Sequence, residues 1–184
     1  MDLEKNYFHF LNGNAENENI SKICLNRLES ILKTGYILSR NMQLKLLGNY
    51  EMGVEELNWN GFDNISICIK TNHNEYNIAF KEYTDEDLNA YNLFAVNNSI
   101  CIILESTLLK NKDIILDYPI YYLPGEFQVK HKIPLKYFSG IGIKYDLLNI
   151  DYELSKKIAF LLNKYNIDLP ILDLDNCQKV YSKK

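Results

Sequence analysis

Alternating apolar and polar residues mark the clearest strand in this sequence, late in the chain. The run follows a proline and a glycine at residues 124 and 125 and stops at Pro134, which cannot donate to a strand ladder. Every second residue of the run falls on one face of an extended chain: Phe127, Val129, His131 and Ile133. The pattern predicts a half-buried strand that ends near Ile133. Glu126 opens this strand, so we expect its carboxylate at a sheet edge, in a position to face a cleft.

Helical spacing of apolar residues predicts two helices. From Ile20 to Leu32 the apolar residues recur at intervals of three and four, and Gly35 comes just past the end. A second apolar stripe follows Asp151, a residue suited to capping a helix, and it reaches Tyr165. We therefore predict an early and a late helix.

Shorter patterns predict the remaining elements, which are an early strand at 6–11, buried strands at 64–70 and 99–105, short strands at 114–116 and 120–123, a helix at 74–83 and an edge segment after Pro170. Leucines between residues 36 and 61 are interrupted by glycine and asparagine, which favours a loop with one short helix. No linker or internal repeat divides the chain. We predict a single α+β domain over residues 1–184, with a mainly antiparallel sheet.

Composition narrows the range of functions. The formal net charge is -4, which gives no general attraction to a phosphate backbone and disfavours tight, non-specific binding of nucleic acid. Arg27 and Arg40 are the only arginines, and guanidinium groups are the usual means of gripping phosphate or carboxylate through two hydrogen bonds.

Neither cysteines nor histidines have the spacing of metal ligands, so we expect no metal site. The cysteines are far apart and fall inside apolar patterns, which predicts buried free thiols at Cys24, Cys68, Cys101 and Cys177. The N-terminal sequence MDLEKNYFHF is too polar for a signal peptide, and no apolar run approaches the roughly 18 residues that span a bilayer. We expect a cytoplasmic protein without a membrane span.

Common catalytic motifs are absent, including a phosphate-binding loop, a GxSxG elbow and an HExxH helix. Three segments carry a resemblance instead: YFHF at 7–10, NRLESILKTG at 26–35 and GEFQVKHKIPL at 125–135. In this order they resemble the ADP-ribosyltransferase-like fold, and within it the DarT-type toxins. That family follows a histidine-bearing strand with a helix of the NLxxILxxG kind and has a late strand reading roughly AEFLV.

The resemblance implies a split antiparallel β-sheet with flanking helices, and NAD as the substrate. Glu126 matches the family's catalytic glutamate, and His9 with Phe10 matches the strand that holds NAD. Tyr76 would stack on nicotinamide, with Tyr83 or Tyr91 as alternatives, and Gln128 shares a strand face with Glu126 and would help to choose the acceptor. Loss of nicotinamide leaves a cation-like ribosyl centre, which a nearby carboxylate stabilises.

One departure from the family pattern keeps three functions open. The family places an arginine in the middle segment, whereas no arginine follows Arg40 here, so either a lysine such as Lys70 replaces it or NAD turnover is weak or absent. The first hypothesis is an enzyme that transfers ADP-ribose to a macromolecular acceptor, in a toxin or phage-defence or counter-defence context with an antitoxin or immunity partner. The alternatives are a non-catalytic nucleotide- or protein-binding module on the same fold and an NAD glycohydrolase.

Overall fold

A computed structural model describes residues 6–11, 20–48, 63–69, 100–110, 126–143, 153–174 and 179–181. The strands within these ranges are β1 (Tyr7–Phe10), β2 (Tyr36–Leu38), β3 (Asn64–Ile69), β4 (Ile100–Leu104), β5 (Glu126–Lys130), β6 (Lys132–Pro134), β7 (Phe138–Ile143), β8 (Ile171–Asp173) and β9 (Lys179–Tyr181). The helices are α1 (Ile20–Thr34), α2 (Arg40–Leu47) and α3 (Leu154–Lys164), and 3₁₀ turns span Ser106–Lys110 and Leu135–Tyr137.

Seven of the described strands form one sheet, in the order β5-β3-β1-β4-β7-β8-β9, and β2 pairs with β6 in a second, two-stranded sheet. Every pairing is antiparallel except that of β7 with β8. The predicted α+β class and the mainly antiparallel sheet are confirmed. The segment after Pro170 adds two strands to the sheet where a single edge segment was predicted: β8 lies inside the sheet and β9 forms its edge.

The large sheet buries apolar side chains on both faces. Helices α1 and α3 cover one face, where residues such as Leu28 and Ile158 join strand residues in the main core. The opposite face holds a smaller cluster built from Phe8, Cys68, Cys101, Ile103, Leu172 and Leu174. Cys24, Cys68 and Cys101 are buried free thiols, as the sequence predicts, and Cys177 lies outside the described residues.

Gly142 on β7 is required by close packing in the smaller cluster. A Cβ atom at this position would come within 2.5 Å of Leu174 Cδ2 and 2.8 Å of Cys101 Sγ. These distances are far shorter than van der Waals contact. Leu174, which follows β8, can therefore pack against β7 at this position only because residue 142 has no side chain.

Helix α1 begins and ends where its sequence pattern predicts. Gly35 follows it with φ +74°, in the left-handed region that a glycine enters without strain, and its amide donates to the Ile31 carbonyl at 2.9 Å. In the late helix the residue at the cap is Glu153, without a side-chain cap hydrogen bond, and Asp151 lies outside the described residues.

The predicted strand begins at Glu126 as expected but does not continue unbroken to Ile133, because the chain turns at His131 and forms two strands, β5 and β6. His131 has φ +63°, its amide donates to the Asp63 carbonyl at 2.8 Å, and its carbonyl accepts from the Ser39 amide at 2.8 Å. These bonds to distant residues hold the turn. They also bring β6 to β2, so Tyr36–Leu38, predicted as loop, is a strand.

Two predicted strands, at 114–116 and 120–123, and the predicted helix at 74–83 with Tyr76 lie outside the described residues. Among the residues that are described, no helix has the length and apolar character to cross a membrane.

Candidate functional site

His9 lies where one edge of β1 loses its neighbouring strand. The ladder of β1 with β4 contains four residue pairs, including His9 with Ile102, whereas the ladder with β3 contains two pairs and stops at Phe8 with Cys68. At this point Nδ1 of His9 lies 2.9 Å from the carbonyl oxygen of Ser66 on β3. Beyond the last pair of the β1–β3 ladder, the Ser66 carbonyl is therefore bonded by the imidazole of His9.

The Ser66 carbonyl fixes the protonation of the imidazole. A carbonyl oxygen accepts and never donates, so Nδ1 of His9 must carry the hydrogen. Burial lowers the pKa of His9 below its usual value of 6.5, the Ser66 carbonyl opposes that shift, and the Arg27 charge adds to it. The ring is therefore neutral near pH 7, and its Nε2 atom presents a lone pair.

Ser66 also holds a polar side chain from the next strand. The β3–β5 ladder places Gln128 directly opposite Ser66, and the Gln128 amide nitrogen donates to the Ser66 hydroxyl oxygen at 3.3 Å. Gln128 is buried, with 6% of its surface exposed. His9, Ser66 and Gln128 therefore connect β1, β3 and β5, and we call them the three-strand row.

Alternation along the strands assigns His9 and Gln128 to different faces of the sheet. His9 is opposite Ile102, a member of the main core, whereas Gln128 is opposite Ser66, which alternates with Ile65 and Ile67 of that core. Both contact Ser66, because backbone carbonyls point along the sheet toward the neighbouring strand while the Ser66 hydroxyl projects from one face. Where the β1–β3 ladder stops, the imidazole reaches the Ser66 carbonyl from the side.

Glu126 is the first residue of β5, and the ladder pairs it with Cys68, which also pairs with Phe8 on β1. With neighbouring strands about 4.8 Å apart, the backbone at Glu126 is about 10 Å from the backbone at Phe8. The register thus sets the histidine strand two positions from the glutamate strand in the sheet, and alternation assigns residue 126 to the face of Gln128, opposite the face of His9. Catalysis by Glu126 stays a prediction.

The other predicted site residues are placed less fully. Phe10 is half-buried, pairs with Cys101 and packs against the smaller cluster. Tyr76 lies outside the described residues. The role of Phe10 in holding NAD and the role of Gln128 in choosing an acceptor stay predictions.

Arg27 adds a cationic side chain near the end of β1. It projects from α1, and its Nη1 atom donates to the Leu11 carbonyl at 2.7 Å. Its charge also acts on the imidazole of His9, two residues before Leu11. One of the two arginines in the sequence therefore stands beside the three-strand row.

Ser66 is the residue of this site that sequence reasoning missed. The sequence NISICI was interpreted only as a buried strand, and no role was assigned to Ser66. One signal was present, because Asn64, Ser66 and Cys68 alternate with three isoleucines and so mark a strand face with polar character. Nothing in that alternation indicates which strands lie on either side.

A concave surface lies between α1 and α3, apart from the three-strand row. This groove has a volume of about 340 Å³ and is lined mostly by apolar surface from Leu25, Asn26, Glu29, Lys156, Lys157, Phe160 and Leu161. Phe160 is 68% exposed. The groove contains no histidine or cysteine, and its charged residues lie on helix surfaces.

The fold and the row define an α+β protein with a polar site where two strands of its main sheet separate. The sequence matches no protein-family model, and no curated protein matches it. Among solved structures it is similar to DarT of Thermus sp. 2.9 in complex with NAD+, at 8% identity and a TM-score of 0.49, over 91% of this chain and 94% of that one.

Two further structures of the same DarT are also similar. The complex with carba-NAD+ matches at 10% identity and a TM-score of 0.48, covering 91% of this chain and 94% of that one. The complex with ADP-ribosylated single-stranded DNA matches at 9% identity and a TM-score of 0.49, covering 92% and 93%. DarT is the family that the sequence motifs resemble. At such identities the function has to be decided from the side chains of the site.

Proposed function

We propose that this protein is an NAD-dependent ADP-ribosyltransferase that transfers ADP-ribose to a macromolecular acceptor. The observation that supports this most is the register of β1, β3 and β5, which sets the strand of His9 two positions from the strand that Glu126 opens. These are the two segments whose motifs resemble the NAD-holding strand and the catalytic strand of the DarT-type toxins.

The chemistry fits the residue types present. Departure of nicotinamide leaves positive charge on the ribose, which the Glu126 carboxylate would stabilise, and the same carboxylate would accept the proton of the incoming nucleophile. A neutral His9 with a lone pair on Nε2 would accept a hydrogen bond from a ribose hydroxyl. Phe10 and Tyr76 would supply aromatic contacts to the dinucleotide, and Gln128 would help to select the acceptor.

The direct test is transfer of label from NAD to a cell lysate, measured together with the release of nicotinamide. We expect Glu126→Gln to lower the rate by about 100-fold or more, as removal of one group that stabilises transition-state charge does. Glu153→Gln, at the residue that precedes α3 and whose side chain is 37% exposed, is the matched control and should retain the activity. Equal rates for the Glu126→Gln variant and the unmodified protein would reject the proposal.

The acceptor is tested in the same assay. Single-stranded DNA is the first candidate, because the Thermus DarT has been seen with ADP-ribosylated single-stranded DNA. Protein acceptors form the second arm, since the net charge of -4 does not favour nucleic acid. The proposal also places the enzyme in the cytoplasm, in a toxin or phage-defence setting with an antitoxin or immunity protein.

The absence of any arginine after Arg40 favours a second candidate, a binding module that holds NAD without turning it over. Titration calorimetry separates the two, because the module would bind NAD while releasing no nicotinamide. A glycohydrolase would instead release free ADP-ribose and label no acceptor.

A further inference from the structure

We propose that Ser66 is a positioning residue of the candidate site, whose carbonyl orients His9 and whose hydroxyl orients Gln128. The proposal deepens the proposed function, on which it rests for the identity of the ligand as NAD. Ser66 itself need not touch the dinucleotide. Its role is to bind one polar atom of His9 and one of Gln128, and so to determine which of their other polar atoms remain for a ligand.

The first half of the proposal concerns His9. The Nδ1 atom is 2.9 Å from the Ser66 carbonyl oxygen, so this nitrogen is committed to the protein as a donor. The remaining nitrogen, Nε2, is then the one that a ligand can reach. Because the carbonyl belongs to the backbone of β3, the ring orientation depends on the strand and not on a rotatable side chain.

The second half concerns Gln128. A glutamine amide presents a donor at one end and an acceptor at the other. Donation of Nε2 to the Ser66 hydroxyl at 3.3 Å turns the nitrogen end of the amide toward β3. Loss of this bond would leave a buried donor with one partner fewer and would weaken the preference for this orientation.

The two halves share one residue because Ser66 lies at the point where one ladder stops and the other continues. On the β5 side the ladder runs through Ser66 and Gln128, whereas on the β1 side the last pair is Phe8 with Cys68. The carbonyl of Ser66 is therefore available to a side chain, while its hydroxyl faces the adjacent strand. Replacing the Ser66 side chain is expected to release Gln128, while the backbone carbonyl continues to hold His9.

The orientation of His9 is tested by the ¹⁵N spectrum of its ring in a protein in which His73 and His131 are replaced by asparagine. His131 has φ +63°, a conformation that asparagine tolerates. We expect a protonated Nδ1 and an unprotonated Nε2 near neutral pH. The reverse tautomer would overturn the proposal.

The orientation of Gln128 is tested by its side-chain amide resonances in variants of Ser66. We expect Ser66→Ala to shift them and to speed their exchange with water, and Ser66→Thr, which keeps a hydroxyl, to restore them. Ser139→Ala is the matched control, because Ser139 is also a half-buried strand serine, whose hydroxyl donates to the Ile103 carbonyl at 3.2 Å. Unchanged Gln128 resonances in Ser66→Ala would contradict the proposal.

Affinity for NAD completes the test through a double-mutant cycle. Ser66→Ala and Gln128→Leu should each weaken binding roughly two- to tenfold, and the double variant should be little weaker than either one, because both remove the same interaction. Additive losses would contradict a positioning role. If the unmodified protein binds no NAD, the proposed function fails, while the two spectroscopic experiments still decide whether Ser66 orients its neighbours.

Discussion

The two edges of β1 differ in what they bury. Toward β4 the strand pairs along its whole length, and each of the five β4 residues is fully buried and apolar. Toward β3 the ladder stops after two pairs, and the row of His9, Ser66 and Gln128 begins. One edge of a single strand thus serves stability, and the other provides the polar groups from which a site is built.

The difference follows from the cost of leaving backbone groups without partners. A strand that separates from its neighbour leaves carbonyl groups to be satisfied by side chains or water. The imidazole of His9 meets that need at Ser66. Pairing on the β4 side is complete and needs no such side chain, so we expect substitutions on that side to affect folding and substitutions on the β3 side to affect binding.

The largest expected effect is on the β4 side. Ile103 is fully buried and lies opposite Phe8 and Gly140, so Ile103→Ala should lower the free energy of unfolding by about 2–5 kcal/mol. Urea denaturation measures the change, and NAD affinity of the folded fraction should be retained. Leu46→Ala, at a leucine that is 59% exposed, is the control and should stay within about 0.5 kcal/mol. A loss of NAD affinity at unchanged stability in Ile103→Ala would break the comparison.

The next effect is at Gly142, farther from β3. Its added methyl group in Gly142→Ala would meet Leu174 and Cys101 at distances under 3.0 Å, so a loss of about 1–3 kcal/mol is expected from overpacking. The midpoint of thermal unfolding reports it. Gly48→Ala is a contrasting control, because a Cβ there meets nothing within 4 Å and any loss comes from its φ of +73° alone. If Gly142→Ala lowers the unfolding midpoint equally with and without saturating NAD, the substitution affects stability alone, as the comparison of the two edges predicts. A loss of NAD affinity without a change in the unfolding midpoint would contradict that comparison.

The sequence predicted some of the helices and strands that carry these positions and missed others. Periodic apolar residues and a glycine at the end were sufficient to predict α1, and apolar runs were sufficient for β3 and β4, because the signal is local in each case. The strand β2 was missed because three residues carry no readable period, and its partner β6 is about a hundred residues away in sequence. The break at His131 was hidden because alternation of apolar and polar residues continues through it.

The candidate site was indicated by the sequence in part. His9 and Glu126 were selected by the motifs in which they lie, and the sheet sets their strands two positions apart, while their roles stay predictions. Ser66 was not selected, because its importance depends on which strands lie on either side of β3. That order is set by long-range pairing, which no local pattern contains.

A pH titration tests the β3 side. Burial lowers the pKa of His9 below 6.5 in the folded protein, so as the pH falls through 6.5 the unfolded chain takes up a proton that the folded protein resists. Stability should therefore decrease from pH 7 toward pH 5, with a slope of at most about 1.4 kcal/mol per pH unit.

In His9→Asn, the same denaturation series should show a smaller slope between pH 7 and pH 5. Glu29, whose pKa is lowered chiefly by its hydrogen bond from Lys164, loses its contribution only as the pH falls below 4.5, outside this window. An unchanged slope in His9→Asn would show that His9 does not carry the effect.

The smallest expected effect is on the pKa of His9 itself. The charge of Arg27 is the weakest of the three influences on that pKa, so Arg27→Met should raise it by less than exposing the ring would. Titration of the His9 ring resonances by NMR measures the shift, with Lys22→Met, an exposed position on the same helix, as the control. A lower pKa in Arg27→Met would contradict the placement of the guanidinium beside the imidazole.

The small sheet of β2 and β6 has a mechanical consequence. The Leu135 amide donates to the Gly35 carbonyl, and the Ser39 amide donates to the His131 carbonyl, so both ends of this two-stranded clasp are fastened. The clasp thereby connects the last turn of α1 with the end of β5. Because these are backbone hydrogen bonds, the two segments are held in register with each other without any side chain taking part.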